Sequence, residues 1–181
     1  MKLEELIRLC AKKDFKAQGI LYKKYKDILF GISLKYCTNK EEAKDNLQES
    51  FIAIFDAIQK YKYQGSFEGW MKRITINKAI DRYKKNIYTE PWVEDRELYT
   101  TVETETMENI PLSIILGFIQ NLPDKYRICF NLYELDNHTH KEIGDLLSIS
   151  EGTSKSNVSR AKKILKERVE KYKQTKYSYE R

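Results

Sequence analysis

Between Thr139 and Tyr172 the chain writes the signal that starts a helix twice, with almost nothing in between. Thr139-His140-Lys141-Glu142 fits a capping box, in which the hydroxyl and the carboxylate each satisfy a backbone amide near the other. The short helix it opens has Ile143, Leu146 and Leu147 on its inner face. Ser148-Ile149 is then the turn, with Ile149 filling the angle between two helices. Ser150 caps the second helix, where Val158, Ala161, Leu165 and Val169 recur every three or four residues. That spacing lies on one face of a helix and cannot lie on one face of a strand. A short capped helix, a tight turn and a longer second helix make a helix-turn-helix.

The same grammar runs through the rest of the sequence. Only 7 Gly and 3 Pro interrupt 181 residues, so breakers are scarce. Asp14 caps a helix with apolar residues at Phe15, Leu21, Tyr22, Tyr25, Ile28, Leu29 and Ile32. Thr38-x-x-Glu41 and Asn39-x-x-Glu42 both fit a capping box for the next, whose stripe is Ala43, Leu47, Phe51, Ile54, Phe55 and Ile58. After a basic, aromatic connection, KYKYQG, Ser66 opens a third with Phe67, Trp70, Met71, Ile74, Ile80 and Tyr83 inside. Helical pattern returns at Pro111 with LSIILGFIQNL. Pro123 opens another helix, with Ile128, Cys129, Leu132 and Leu135 as its apolar side. No internal repeat and no sustained alternation appears. The expected fold is all-α, with two small helical domains, 10–88 and 110–173, joined by a flexible acidic linker at 89–109.

Charge sharpens this division. Residues 60–88 and 151–181 are each +6, whereas 89–110 is −6. Two basic segments around an acidic one suggest two contacts with a polyanion and a spacer between them. The segment from Tyr88 to Asn109 spans at most ~75 Å when extended, about two turns of duplex at roughly 34 Å each. Trp92 within it is either docked or exposed. No apolar run reaches the ~20 residues of a membrane span. The N-terminus has no signal-peptide pattern. Cys10, Cys37 and Cys129 are widely spaced and read as reduced thiols of a cytoplasmic protein.

The second helix of the helix-turn-helix begins with small and polar side chains. Thr153, Lys155, Ser156, Ser159 and Arg160, with Lys163 further on, suit a helix set into a major groove. Ser154 and Asn157 belong to the same turns, and Lys162, Lys166 and Arg168 add charge. In the first half, Tyr61, Lys62, Tyr63, Arg73, Lys78, Arg82 and Lys85 interleave rings and cations, as single-stranded DNA requires. Asn77 and Asp81, a turn apart, are placed to bond base edges. Phe67 and Trp70 read as core, whereas Tyr61 and Tyr63 read as the exposed rings.

These residues together resemble the extracytoplasmic-function sigma factors, the compact class of the sigma-70 family. AKDNLQESFIAIFDAI, with Asp45, Gln48, Glu49 and Phe51, looks like the helix that binds core RNA polymerase. GSFEGWMKRITINKAIDRYKK looks like the helix that melts and reads the −10 promoter element, with Phe67, Trp70, Arg73, Asn77 and Asp81 in its motif. LPDKYRICFNLYELDNHTHKEIGDLLSISEGTSKSNVSRAKKILKE resembles the domain that reads the −35 element. The resemblance implies promoter recognition and melting as the function, with polymerase, promoter DNA and an anti-sigma factor as partners. It implies no cofactor and no catalysis. LQESF and GSFEGW are most like the Bacteroidetes forms. The sequence departs from the family at Ser148, where Gly is usual in the turn, and at Ser154, where Val is usual within GTVKS. A serine in that turn implies a shifted or strained backbone, because a non-glycine residue with positive φ is uncommon. Two rival readings have less behind them. A stand-alone helix-turn-helix regulator lacks a ligand pocket or dimer helix in its pattern. A zinc enzyme built on Cys129, His138 and His140 lacks a fourth ligand.

Overall fold

The computed structural model describes residues 1–87 and 110–179, and side chains at 86, 87 and 176–179 are left aside. The linker expected at 89–109, Trp92 included, lies outside the described residues. Those described are helical, with no strand among them. The chain divides into two compact units, Met1–Tyr83 and Lys84–Arg181.

The N-terminal unit holds α1 (Leu3–Ala11), α2 (Phe15–Tyr36), α3 (Lys40–Ala57) with a 3-10 turn at Ile58–Lys60, and α4 (Phe67–Ile87), whose last residues from Lys84 run past the division. Ahead of Asp14, where the first expected helix begins, lies α1. That helix has no side-chain cap, yet it buries Leu6, Ile7 and Cys10. It closes where Lys13 takes a left-handed φ of 62° and the Asp14 amide reaches Leu9 O at 3.1 Å. Asp14 then caps α2, its carboxylate accepting from the Ala17 amide at 2.8 Å. The buried face of α2 is Leu21, Tyr25, Leu29, Ile32 and Tyr36. The expected stripe is therefore too wide. Ile28 and Tyr22 flank the buried face, and Phe15, in the first turn, is 86% exposed.

At the start of α3 the cap is Asn39 rather than Thr38, and neither capping box is completed in full. Asn39 Oδ1 accepts from the Glu42 amide at 2.9 Å, and the Glu42 carboxylate accepts from the Thr38 amide at 2.7 Å. Ala43, Leu47, Phe51, Ile54 and Ile58 form the core face. A polar junction lies inside the unit. Asn46 Nδ2 donates to Ser33 Oγ at 3.0 Å and to Thr75 O at 3.3 Å, so one amide links α2, α3 and α4. Ser33, Asn46 and Thr75 are fully buried.

The C-terminal unit holds α5 (Leu112–Gln120), α6 (Asp124–Phe130), a π turn at Asn131–Leu135, α7 (His140–Leu147) and α8 (Glu151–Tyr179). Ile119, Leu122, Tyr126, Ala161 and Leu165 form one core cluster. Pro123 ends α5 abruptly, which leaves carbonyls without helical partners. Two arginines satisfy them. Buried Arg127 donates to Gln120 O and Leu122 O at 3.2 and 2.9 Å and pairs with Asp124 at 2.7 Å. Arg168 donates to Phe118 O at 2.7 Å and Asn121 O at 3.1 Å. Arg168 is thus a helix clamp as well as a surface charge. The π turn changes the phase of the chain, with the Asp136 amide bonding five residues back to Asn131 O at 3.1 Å. Leu135, expected inside, is rotated off the apolar face and is 42% exposed.

Candidate nucleic-acid and protein-binding surfaces

The helix-turn-helix forms as its caps dictate. Thr139 and Glu142 complete the capping box at α7. Ser150 Oγ accepts from the Thr153 amide at 3.0 Å and opens α8. The turn stays at Ser148, which adopts φ 59° and ψ 43°, the left-handed region. For a residue with a Cβ this conformation costs roughly 1–2 kcal/mol. Gly144 shows why the turn cannot relax easily. The Ile149 amide bonds to Gly144 O at 3.0 Å, and a Cβ on Gly144 would meet Ile149 O at 2.8 Å.

Lys155, Ser156, Ser159, Arg160 and Lys163 share one face of α8, with Lys155 and Lys163 exposed and the others half-buried. Lys155 pairs with Glu151 at 2.7 Å, which holds the Glu151 carboxyl below its usual range. Thr153 lies at the edge of this face, its hydroxyl 2.8 Å from Ser150 Oγ. Arg160 Nη1 donates to the Tyr126 hydroxyl at 3.2 Å. Lys162, expected to add charge, pairs with Glu134 at 2.6 Å. Ser154 and Asn157 point inward. Asn157 Nδ2 faces Cys129 Sγ at 3.5 Å, and burial pushes that thiol up to about 11. Ser154 is fully buried, with its hydroxyl 3.0 Å from His140 Nδ1. The His140 ring stacks on Tyr133 with centroids 4.1 Å apart. A polar contact from α7 thus meets the serine that stands where the family favours valine.

In the N-terminal unit the words GSFEGW fold as a cap. Gly65 has φ 81°, Ser66 Oγ accepts from the Gly69 amide at 3.0 Å, and α4 begins at Phe67. Arg73, Asn77, Asp81 and Lys85 follow at intervals of four and are all exposed, with Lys78 half-buried beside them. At the start of α4 lies an aromatic cluster. Tyr61 packs 5.1 Å from Phe67 and 5.4 Å from Trp70, and Phe67 stacks on Trp70 at 5.5 Å. Tyr61 is not the exposed ring expected from the sequence. Tyr61 is 9% exposed, and its hydroxyl donates to Gly65 O at 2.8 Å. It is the floor of the cluster because a ring between Phe67 and Trp70 gains more by burial than by contact with water. Tyr63 and Lys62 are exposed, and Trp70 is half-buried.

On α3, Asp45, Gln48 and Glu49 are exposed on the side away from the core. Phe51 is not among them. It is 4% exposed and packs on Tyr22 at 4.7 Å, because positions 47, 51, 54 and 58 share the core face. The apolar residue that does join the outer face is Ile52, 56% exposed. Its phase relative to the core stripe was the available signal. The two candidate surfaces of this unit also touch. Arg82 donates to Glu42 O at 3.0 Å and pairs with Glu49 at 2.9 Å. Among the described residues, no group of three or more His, Cys, Asp or Glu is arranged to hold a metal ion. None of the described helices is long and apolar enough to cross a membrane.

Known proteins share this layout. The family descriptions "Sigma-70 region 2" and "Sigma-70, region 4" match residues 21–87 and 112–165. The chain is 29% identical to the ECF RNA polymerase sigma factor SigW of Bacillus subtilis over 182 residues, covering 93% of this chain and 97% of that one. It is 25% identical to the ECF RNA polymerase sigma-E factor of Haemophilus influenzae, covering 92% and 95%. Against the ECF sigma factor SigE of Mycolicibacterium smegmatis it is 29% identical but spans only 61% of that longer relative. In fold it is similar to the sigma factor RpoE co-crystallised with the anti-sigma factor NepR from Bartonella quintana. The TM-score is 0.53 at 15% identity, over 84% of this chain and 96% of that one. With both regions matched in order, over more than half of the chain together, it belongs to the sigma-70 family and is a sigma factor of the extracytoplasmic-function type.

Proposed function

We propose that this sigma factor binds core RNA polymerase through the outer face of α3, formed by Asp45, Gln48, Glu49 and Ile52. Carboxylates on such a face suit arginines or lysines of the polymerase. The exposed stripe of α4, Arg73, Asn77, Lys78, Asp81 and Lys85, with Lys62 and Tyr63 beside it, takes the melted −10 strand. Trp70 and Tyr63 supply ring faces for an unstacked base, and Tyr61 supports them from below. The α8 face of Thr153, Lys155, Ser156, Ser159, Arg160 and Lys163 docks on the −35 duplex. The protein acts by binding and positioning, not by catalysis, and works in the cytoplasm. An anti-sigma partner covers these surfaces until a signal arrives; the Bartonella sigma factor of similar fold was co-crystallised with one, NepR. A Bacteroidetes-like origin fits the wording of LQESF and GSFEGW.

The observation that carries this reading is the pairing of a capped helix-turn-helix with an exposed, cationic α4 stripe in one chain. Adding the full chain to core polymerase should give promoter-dependent RNA synthesis. Tight duplex binding by the chain alone, with no transcription from any promoter selected by the mixture, would point instead to a stand-alone regulator. Asp45→Ala with Gln48→Ala should weaken polymerase binding and leave the preferred −35 sequence unchanged.

A further inference from the structure

Arg160 lies in the proposed −35 face, but an arginine side chain has several rotors, and its reading of a base or phosphate depends on where its fork points. The position of Tyr126 bears on this. Its residue is 5% exposed, and its ring sits in the core cluster with Ile119, Leu122, Ala161 and Leu165. Ala161 is the neighbour of Arg160 in sequence, so the ring is fixed against the very turn of α8 that carries the arginine. The ammonium of Lys125 lies 5.1 Å from the ring centroid. The ring is therefore held to the precision of a packed core. Its hydroxyl meets Arg160, as acceptor for Nη1 at 3.2 Å.

We propose that Tyr126 is a positioning residue for DNA recognition, which sets the guanidinium of Arg160 in advance of binding. The inference rests on the reading of α8 as the duplex-contacting helix. Pre-setting a flexible cation reduces the ordering that binding must otherwise impose. The ring, rather than the hydroxyl, fills the core position. Tyr126→Phe keeps that ring and removes the atom that accepts from Arg160.

The test uses the full chain bound to core polymerase and a library of promoter duplexes randomised across the −35 element. Tyr126→Phe, Arg160→Ala and the double variant are compared with the parent by binding and sequencing of the selected duplexes. Tyr126→Phe should weaken binding to the preferred duplex by roughly 3- to 10-fold, the scale of one hydrogen bond. It should relax sequence preference at the same base pairs as Arg160→Ala. In the Arg160→Ala background it should have no further effect on binding, and its unfolding midpoint should fall by no more than the loss of one hydrogen bond gives, which leaves the variant folded in the assay. An undiminished effect of Tyr126→Phe in the Arg160→Ala background would overturn the proposal, since the hydroxyl would then act by another route. So would a parent-like Tyr126→Phe where Arg160→Ala is impaired. If Arg160→Ala itself binds and selects like the parent, the assignment of the α8 face fails with it.

Discussion

α4 and α8 begin alike, each at a serine whose hydroxyl accepts an amide three residues on. They are seated differently. The N-terminal end of α8 is fixed by neighbours in sequence: the Thr139–Glu142 box, the close approach at Gly144, the left-handed Ser148 and the Ser150 cap. α4 is seated by residues remote from it. Asn46 reaches Thr75 O across 29 positions, and Arg82 reaches Glu49 across 33. A helix start fixed by local signals and a helix seated by distant contacts should respond differently to substitution.

The largest expected effect is on the C-terminal unit, at the corner that supports α8 from behind. Arg127→Ala removes a buried cation from two carbonyls and from Asp124. Carbonyls left dry at a helix end are costly, and the arginine stem leaves a void, so about 3 kcal/mol of stability should be lost. Hydrogen exchange should show α5 and α6 opening while α2 and α3 keep their protection. Equal loss of protection in both units would break the comparison. Gly144→Ala comes next, at about 2 kcal/mol, because its Cβ would press on the backbone oxygen of Ile149. A variant with the parent's melting temperature would show that the turn yields.

What the sequence revealed follows the same division. Caps at Asp14, Asn39, Ser66, Thr139 and Ser150 were legible because each is a short-range pattern of hydroxyl or carboxylate and amide. The inward residues Val158, Ala161, Leu165 and Val169 were legible because α8 is regular. Leu135 was not, since a π turn shifts the phase and no residue type announces one. Phe51 fits both the core stripe and the family's binding motif, and packing against Tyr22 decides for the core. Tyr61 depends on where Phe67 and Trp70 place their rings, which spacing does not say. The role of Tyr126 was hidden for the same reason, because its partner lies 34 positions away.

The N-terminal counterpart is Arg82→Ala, with a smaller expected effect. Its partner Glu49 is half exposed, so solvent screens that pair, and the loss comes chiefly from the bond to Glu42 O. About 1 kcal/mol is expected. The measurement that sharpens the comparison is polymerase affinity. Arg82→Ala frees the Glu49 carboxylate, so binding through α3 should be retained or tightened even as the fold weakens. A large loss of affinity in a folded Arg82→Ala protein would mean that Arg82 holds α3 in its binding geometry. Ser148→Gly tests the local side in the opposite direction. It relieves the left-handed serine but adds chain entropy to the unfolded state, so a gain of about 0.5–1 kcal/mol is expected.

The smallest effect separates the units by acid. Both histidines of the chain, His138 and His140, lie in the C-terminal unit. Burial holds the His140 imidazole below its ordinary value, Lys155 and Lys162 add to that, and Glu151 and Glu134 oppose it. The folded unit therefore favours neutral His140, with Nδ1 against Ser154 and the ring on Tyr133. In the unfolded chain the same ring titrates near 6.5. Between these two values the unfolded state binds more protons, so stability rises with pH there. The contribution is fully present above about 6.5 and is lost as pH falls through the folded value. Melting of the C-terminal unit between pH 7.5 and 5, followed by the protection of α7 and α8, should show this decline. The helices α2 and α3 should lack a histidine-linked slope over the same range. His140→Gln should flatten the slope in the C-terminal unit, since an amide can face Ser154 without titrating. An unchanged slope in that variant would assign the acid sensitivity to other groups and leave His140 as a packing residue alone.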